Sequence, residues 1–169
     1  MFNSGIFTSE SLKQASSQFK NKGYFVIDNV LEEQYIEHLY ITAPNINYDV
    51  RGGYGDYYET VPWQEDERGD ELGKKIESQV HNYDFSYFHR ISAVGQDTKF
   101  ESDFVQEFTQ DIVRGGVLKN YIETVTGFDH LYTALPTFSF YTKNHWITPH
   151  YDPTRKVAYL FYFNKVWKK

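Results

Sequence analysis

An imidazole and a carboxylate two residues apart, His150 and Asp152, stand in the stretch Tyr141-Thr-Lys-Asn-His-Trp-Ile-Thr-Pro-His-Tyr-Asp-Pro. In an extended chain alternate side chains leave on one side, so this pair can present a nitrogen and an oxygen to one metal ion. That is two-thirds of a 2-His-1-carboxylate facial triad, which occupies one face of an octahedral ferrous ion and leaves three positions for a bidentate ligand and dioxygen. By chance alone a chain with this many His and Asp holds about 0.4 such pairs. The competing reading is an Asp152-Pro153 turn beside a satisfied surface histidine. The chain has no Cys, so disulfides, thiolate nucleophiles and Cys-ligated zinc or iron-sulfur centres are excluded. Any metal must be held by His, Asp or Glu.

The elements that must position this pair are β in character. Leu131 to Ala134, Thr137 to Tyr141 and Val157 to Phe163 are rich in Tyr, Phe, Thr and Val, separated by Pro136, Asn144 and Pro153, and predict strands. Upstream the period is helical. Thr8 or Ser9 caps a helix with Leu12, Ala15 and Phe19 on one side and Gly23 as its stop. Tyr24 to Ile27 reads as a strand, and a second helix after Asn29 carries Leu31, Tyr35, Ile36 and Leu39 towards Pro44. Residues 45–70, with four glycines, many tyrosines and the acidic run Gln64-Glu65-Asp66-Glu67, read as a long loop, either a solvated excursion or a lid over a site. Tyr83 to Ile91 is an aromatic strand candidate. Ser102 caps a helix with Phe104, Val105, Phe108 and Ile112 that closes at Gly115-Gly116, and another with Leu118, Tyr121, Ile122 and Val125 stops at Gly127. No internal repeat is present.

Composition bounds the answer. A chain of 169 residues is the size of one domain, and 19% aromatic content favours pleated, half-buried surfaces. The reading is a single domain over 1–169, helix-rich over 1–127, with a β core beginning at 128–169. Net charge is -6 with Lys and Arg scattered, which gives no footprint for a phosphate backbone and argues against nucleic acid as a direct ligand. The longest apolar run, within residues 157–163, is far too short to span a bilayer, and Met1 to Ser11 lacks the pattern of a signal peptide. A cytoplasmic protein with no membrane partner is expected. Nothing in the sequence sets an oligomeric state.

The flanks of the His-x-Asp pair add specificity. Tyr141 ends a strand nine residues before His150, and after Asp152 come Arg155, Tyr162-Phe163-Asn164 and Trp167. The upstream helix ends Val125-Thr126-Gly127, and the chain opens Gly23-Tyr-Phe-Val-Ile-Asp-Asn-Val-Leu-Glu. In these features it resembles the prolyl 4-hydroxylase branch of the iron(II)- and 2-oxoglutarate-dependent dioxygenases. The resemblance implies an α+β fold, a double-stranded β-helix (jelly roll) with N-terminal helices packed on its major sheet. It implies Fe(II) held by His150, Asp152 and a distal histidine, with 2-oxoglutarate as cosubstrate and ascorbate as a candidate reductant.

In such enzymes 2-oxoglutarate chelates the iron through its keto acid end and is decarboxylated to succinate as a substrate C–H bond is hydroxylated. Its far carboxylate is held by a tyrosine hydroxyl and a downstream Arg or Lys, because a buried carboxylate needs charge-assisted partners. Tyr162 matches that tyrosine, and Tyr141 matches the other tyrosine bordering the cosubstrate. The substrate implied first is a prolyl residue in a protein or peptide, with small molecules as the other class; the acidic stretch 56–70 favours a basic partner. No histidine follows Asp152, so the expectation is a domain incomplete at its C-terminus, lacking the distal His and the basic anchor, and inactive alone. The alternatives are a non-catalytic binding module on the same fold and a different metal-binding protein, for example a cupin-like one. His145 has the opposite side-chain parity to His150 on the approach strand. With His130, His89, His81 and His38 it reads as a surface or hydrogen-bonded histidine.

Overall fold

The computed structural model describes residues 1–93, 100, 102–132, 137–150, 152 and 155–163, without the side chains of 93 and 112–114. Asn164 and Trp167, which carry part of the resemblance, lie outside the described residues, as do 133–136. The described residues form five α-helices and an antiparallel sheet of five strands, an α+β fold. They divide into two compact units.

One unit comprises the described residues of Met1–Ala43, Val94–Pro136 and Phe163–Lys169. Its helices begin and end where local chemistry dictates. In α1 (Ser9–Lys22) the Thr8 side chain accepts from the Ser11 N–H, and Gly23, at φ 76°, takes the left-handed conformation that only glycine adopts freely. Ser102 caps α4 (Asp103–Arg114), and Gly127, at φ 74°, closes α5 (Gly116–Thr126). Helix α2 (Glu33–Thr42) starts after Glu32 with no side-chain cap, so Leu31 precedes the helix. Ile6, Ala15, Tyr121 and Val125 are buried together, with Leu12, Phe19, Phe25, Ile27 and Val30 packed on them.

The strand expected over Tyr24 to Ile27 does not form. Its alternation is real, since Tyr24 and Val26 are exposed while Phe25 and Ile27 turn inward, but the inward side chains pack on helices. No neighbouring strand supplies a ladder there. The backbone pairing nearby is instead an isolated bridge, Phe2 to Leu31.

The other unit comprises the described residues of Pro44–Ala93 and Thr137–Tyr162. Its sheet runs β2 (Tyr57–Val61), β1 (Asp49–Tyr54), β3 (Ser86–Ala93), β4 (Thr137–Phe140), and the two-residue β5 (Trp146–Ile147) pairs with β3 beyond the end of β4. Residues 45–70 are therefore a β-hairpin and the start of helix α3 (Asp66–Glu77), not a long loop. The hairpin turns at Gly55-Asp56, with Gly55 at φ 52°. The acidic run that looked like a loop is the first turn of α3, where Asp66 and Glu67 meet the positive helix end while Lys74 and Lys75 occupy the last turn.

Helix α3 covers one face of the sheet, burying Leu72 and Ile76 against Val50, Val61 and Phe88. Gly52 explains how closely it approaches, because a Cβ there would lie 2.8 Å from Ile76 Cγ1. The strand expected over Val157 to Phe163 is absent. Both edges of β3 are taken, by β1 on one side and by β4 and β5 on the other. Tyr159 and Phe161 pair edge-on instead.

Candidate functional site

Trp146 and Thr148 are tied to the start of β3 by a polar anchor. Ser86 is fully buried; its N–H donates to Thr148 Oγ1 at 3.0 Å, and its carbonyl accepts from the Thr148 N–H at 3.0 Å. Trp146 Nε1 donates to Ser86 Oγ at 3.2 Å. The Thr148 carbonyl, fixed in this way, lies 3.1 Å from His150 Nδ1. A carbonyl can only accept, so Nδ1 carries a proton, and Nε2 presents a lone pair when the ring is neutral. That nitrogen faces Asp152 Oδ2 at 3.9 Å. The structure thus brings together the two residues the sequence singled out, outside any strand.

A lone pair and a carboxylate facing each other repel unless a cation lies between them, and the available cations are a proton or a metal ion. A second-partner hydrogen bond to a backbone carbonyl that fixes the far nitrogen is the usual support of a metal-bound histidine. An imidazole nitrogen and a carboxylate are donor types that a ferrous ion accepts. Among the described residues no group of three His, Cys, Asp or Glu converges on one point. Arg155 Nη1 lies 3.8 Å from the same Asp152 oxygen, a solvent-exposed pair. His150 rests on the ring of Phe85 at 5.2 Å, whereas His145 rests on Phe88, on the α3 face, also at 5.2 Å.

Tyr141 and Tyr162 lie elsewhere in the same unit. Tyr141 Oη is 2.6 Å from His89 Nδ1, and burial, followed by the nearby Tyr162, raises the Tyr141 hydroxyl above its ordinary pKa. Tyr162 itself is 65% exposed. His89 is buried, and burial, with Arg51 and His145 adding to it, pushes its pKa down to about 4. Its second nitrogen, Nε2, is buried with no hydrogen-bond partner among the described residues. The sequence reading placed His89 among surface or hydrogen-bonded histidines and not beside Tyr141; it is buried. The available signal was the alternation Phe85, Tyr87, His89, Ile91, which puts all four on one side of β3.

No helix among the described residues is long and apolar enough to cross a membrane. Comparison with protein-family models, with curated proteins and with solved structures finds no match for this chain.

Proposed function

We propose that this chain holds ferrous iron through His150 and Asp152 and serves an Fe(II)- and 2-oxoglutarate-dependent dioxygenase reaction of the prolyl-hydroxylase type, the five-stranded sheet being part of a jelly-roll framework. The observation that supports this best is the orientation of His150. Its Nδ1–H is engaged by Thr148 O, and its Nε2 lone pair is turned toward Asp152. When bound, iron with 2-oxoglutarate and dioxygen supplies the oxidising chemistry that turns a substrate C–H into C–OH, with succinate and carbon dioxide as co-products.

The chain's own residues do the positioning. Ser86 and Thr148 fix the imidazole, and His150 and Asp152 offer one neutral and one anionic donor on the same side. Tyr162, 65% exposed, would turn its hydroxyl to the far carboxylate of 2-oxoglutarate, with Tyr141 bordering the cosubstrate. A prolyl residue in a protein or peptide is the substrate class that goes with this reading.

Anaerobic calorimetric titration of the full chain with Fe(II) tests the assignment, followed by 2-oxoglutarate, oxygen and a succinate assay. Iron binding that disappears in both His150→Ala and Asp152→Ala is the expected result. Equal iron affinity in the two variants and the parent sinks it. Binding of 2-oxoglutarate without succinate formation favours the non-catalytic module on the same framework.

A further inference from the structure

The sheet face opposite α3 carries Arg51, half-buried and without a carboxylate partner among the described residues. Arg51 on β1 lies directly across from His89 on β3, and Gly53 across from Tyr87, so Arg51, Tyr87 and His89 share that face. Arg51 Nε donates to Thr60 Oγ1 of β2 at 3.2 Å, which orients the guanidinium and leaves its terminal nitrogens without an ion pair among the described residues. The acid nearest in sequence on this face, Asp49, accepts from the Trp63 N–H at 3.2 Å. Glu59 points to the other face, where it meets Tyr57 and Arg68. The Tyr87 hydroxyl makes no hydrogen bond within the described residues. Beside them His89 is 7% exposed, with Nδ1 held by Tyr141 and Nε2 unpartnered.

Among the described residues this leaves a half-buried guanidinium without a counter-ion and a buried imidazole nitrogen without a partner, a costly arrangement unless something else completes it. We propose that Arg51, Tyr87 and the His89–Tyr141 pair form a binding site for the carboxylate group of a small-molecule ligand. The chemistry is complementary group by group. The guanidinium fork matches a planar oxyanion in charge and geometry. The Tyr87 hydroxyl is a free donor. With Tyr141 donating to Nδ1, the His89 ring carries its proton on Nε2, a third donor that no acceptor among the described residues uses. Burial keeps this imidazole neutral, so it serves by hydrogen bonding while Arg51 supplies the charge.

The face also runs toward the His150–Asp152 pair. Along β3 the rings follow one another, His150 to Phe85 at 5.2 Å, Phe85 to Tyr87 at 5.4 Å and Tyr87 to His89 at 5.7 Å. If the function proposed above holds, on which this one step rests, the carboxylate is the far end of 2-oxoglutarate and Arg51 is its basic anchor. The carboxylate site itself needs no metal.

The test therefore starts without one. The full chain in EDTA is titrated with 2-oxoglutarate, succinate and inorganic phosphate, following the His89 ring resonances by NMR and affinities by calorimetry. Saturable binding of both carboxylates that moves the His89 resonances is expected. Arg51→Gln should weaken it at least about tenfold, the loss of a charge-assisted pair, and Arg51→Lys less. Arg68→Gln, which removes the same charge on the α3 side, should leave it unchanged. No saturable carboxylate binding in the parent, or equal loss in Arg51→Gln and Arg68→Gln, overturns the proposal. Asp152→Ala separates the two readings, because the carboxylate site predicts that binding in EDTA survives in this variant even where the iron assignment fails. Adding Fe(II) distinguishes the sources. A gain for 2-oxoglutarate but not succinate identifies the cosubstrate, and no gain assigns the site to the carboxylate of another ligand.

Discussion

Tyr141 Oη and His89 Nδ1 lie 2.6 Å apart, joining β3 to the residue that follows β4 across 52 positions of sequence. The pair fixes one end of a buried imidazole whose other end has no partner among the described residues. That arrangement makes stability depend on pH in a way that can be read.

His89 takes up a proton near pH 4 in the fold, against an ordinary value of 6.5. Between those values the unfolded chain binds more protons than the folded one, so stability is full above about 6.5 and falls as pH drops toward 4. The whole contribution is about 3 kcal/mol, of which about 2 kcal/mol is gone at pH 5. Urea unfolding at pH 7 and pH 5 checks it. The parent should lose about 2 kcal/mol more than His89→Gln over that interval. His145, also lowered by burial, contributes with the same sign but cancels in the comparison.

Backbone approach gives a second prediction. Ile76 is fully buried and Phe88 nearly so, and both would meet a Cβ at Gly52, at 2.8 and 3.2 Å. Neither can withdraw, so Gly52→Ala should cost about 1–3 kcal/mol by overpacking. At Gly116, the first residue of α5, the nearest atom to a Cβ is Asn120 Nδ2 at 3.5 Å, an ordinary contact. Gly116→Ala should instead be neutral or stabilise by up to about 1 kcal/mol. Thermal unfolding of both variants measures the contrast.

These glycines also show why part of the fold was legible in sequence and part was not. Helices α1, α4 and α5 were readable because their signals are local: Thr8 and Ser102 cap the chain a few residues on, and Gly23 and Gly127 close it. The hairpin of β1 and β2 was not. Gly52 and Gly53 look like loop residues, yet they exist because Ile76 and Tyr87 come within contact distance from far along the chain. Helix α3 did carry a sequence signal, acids in its first turn and lysines in its last, but the acidic run was read as solvated loop. At the site, His150 and Asp152 were legible because their spacing is short. Arg51 and His89 were not, since only strand pairing places them opposite each other.

The cosubstrate reading assigns different costs to the two tyrosines. Tyr162→Phe removes one hydrogen bond to a charged group while keeping the ring, a loss of roughly 1.5 to 3 kcal/mol. The largely exposed hydroxyl points to the lower end, so the 2-oxoglutarate dissociation constant should rise about tenfold with iron affinity nearly unchanged. Tyr141→Phe leaves His89 with no partner at either nitrogen and should cost about 1–2 kcal/mol of stability. Calorimetry and urea unfolding on both variants separate these outcomes. A Tyr162→Phe variant that binds 2-oxoglutarate as the parent does removes Tyr162 from the site.

Arg155 supplies the sharpest check on the metal assignment, because its effect has a sign. Its Nη1 sits 3.8 Å from Asp152 Oδ2, the oxygen that also faces His150 Nε2 at 3.9 Å. A ferrous ion joining the two donors must therefore compete with the guanidinium for one carboxylate oxygen. Arg155 is 60% exposed and Asp152 is 42% exposed, and an ion pair this open to solvent is worth about 0–1 kcal/mol. Removing it should raise Fe(II) affinity by no more than about fivefold. The gain should shrink at high ionic strength, where the competing pair is already screened. Removing a ligand acts the other way and far more strongly, so His150→Ala and Asp152→Ala should each weaken iron binding by more than about a hundredfold. Anaerobic titration of Arg155→Ala at low and high salt decides the matter: tighter binding at low salt places the metal at the Asp152 oxygen, and weaker binding shows that Arg155 holds the carboxylate in place and the metal assignment must be revised.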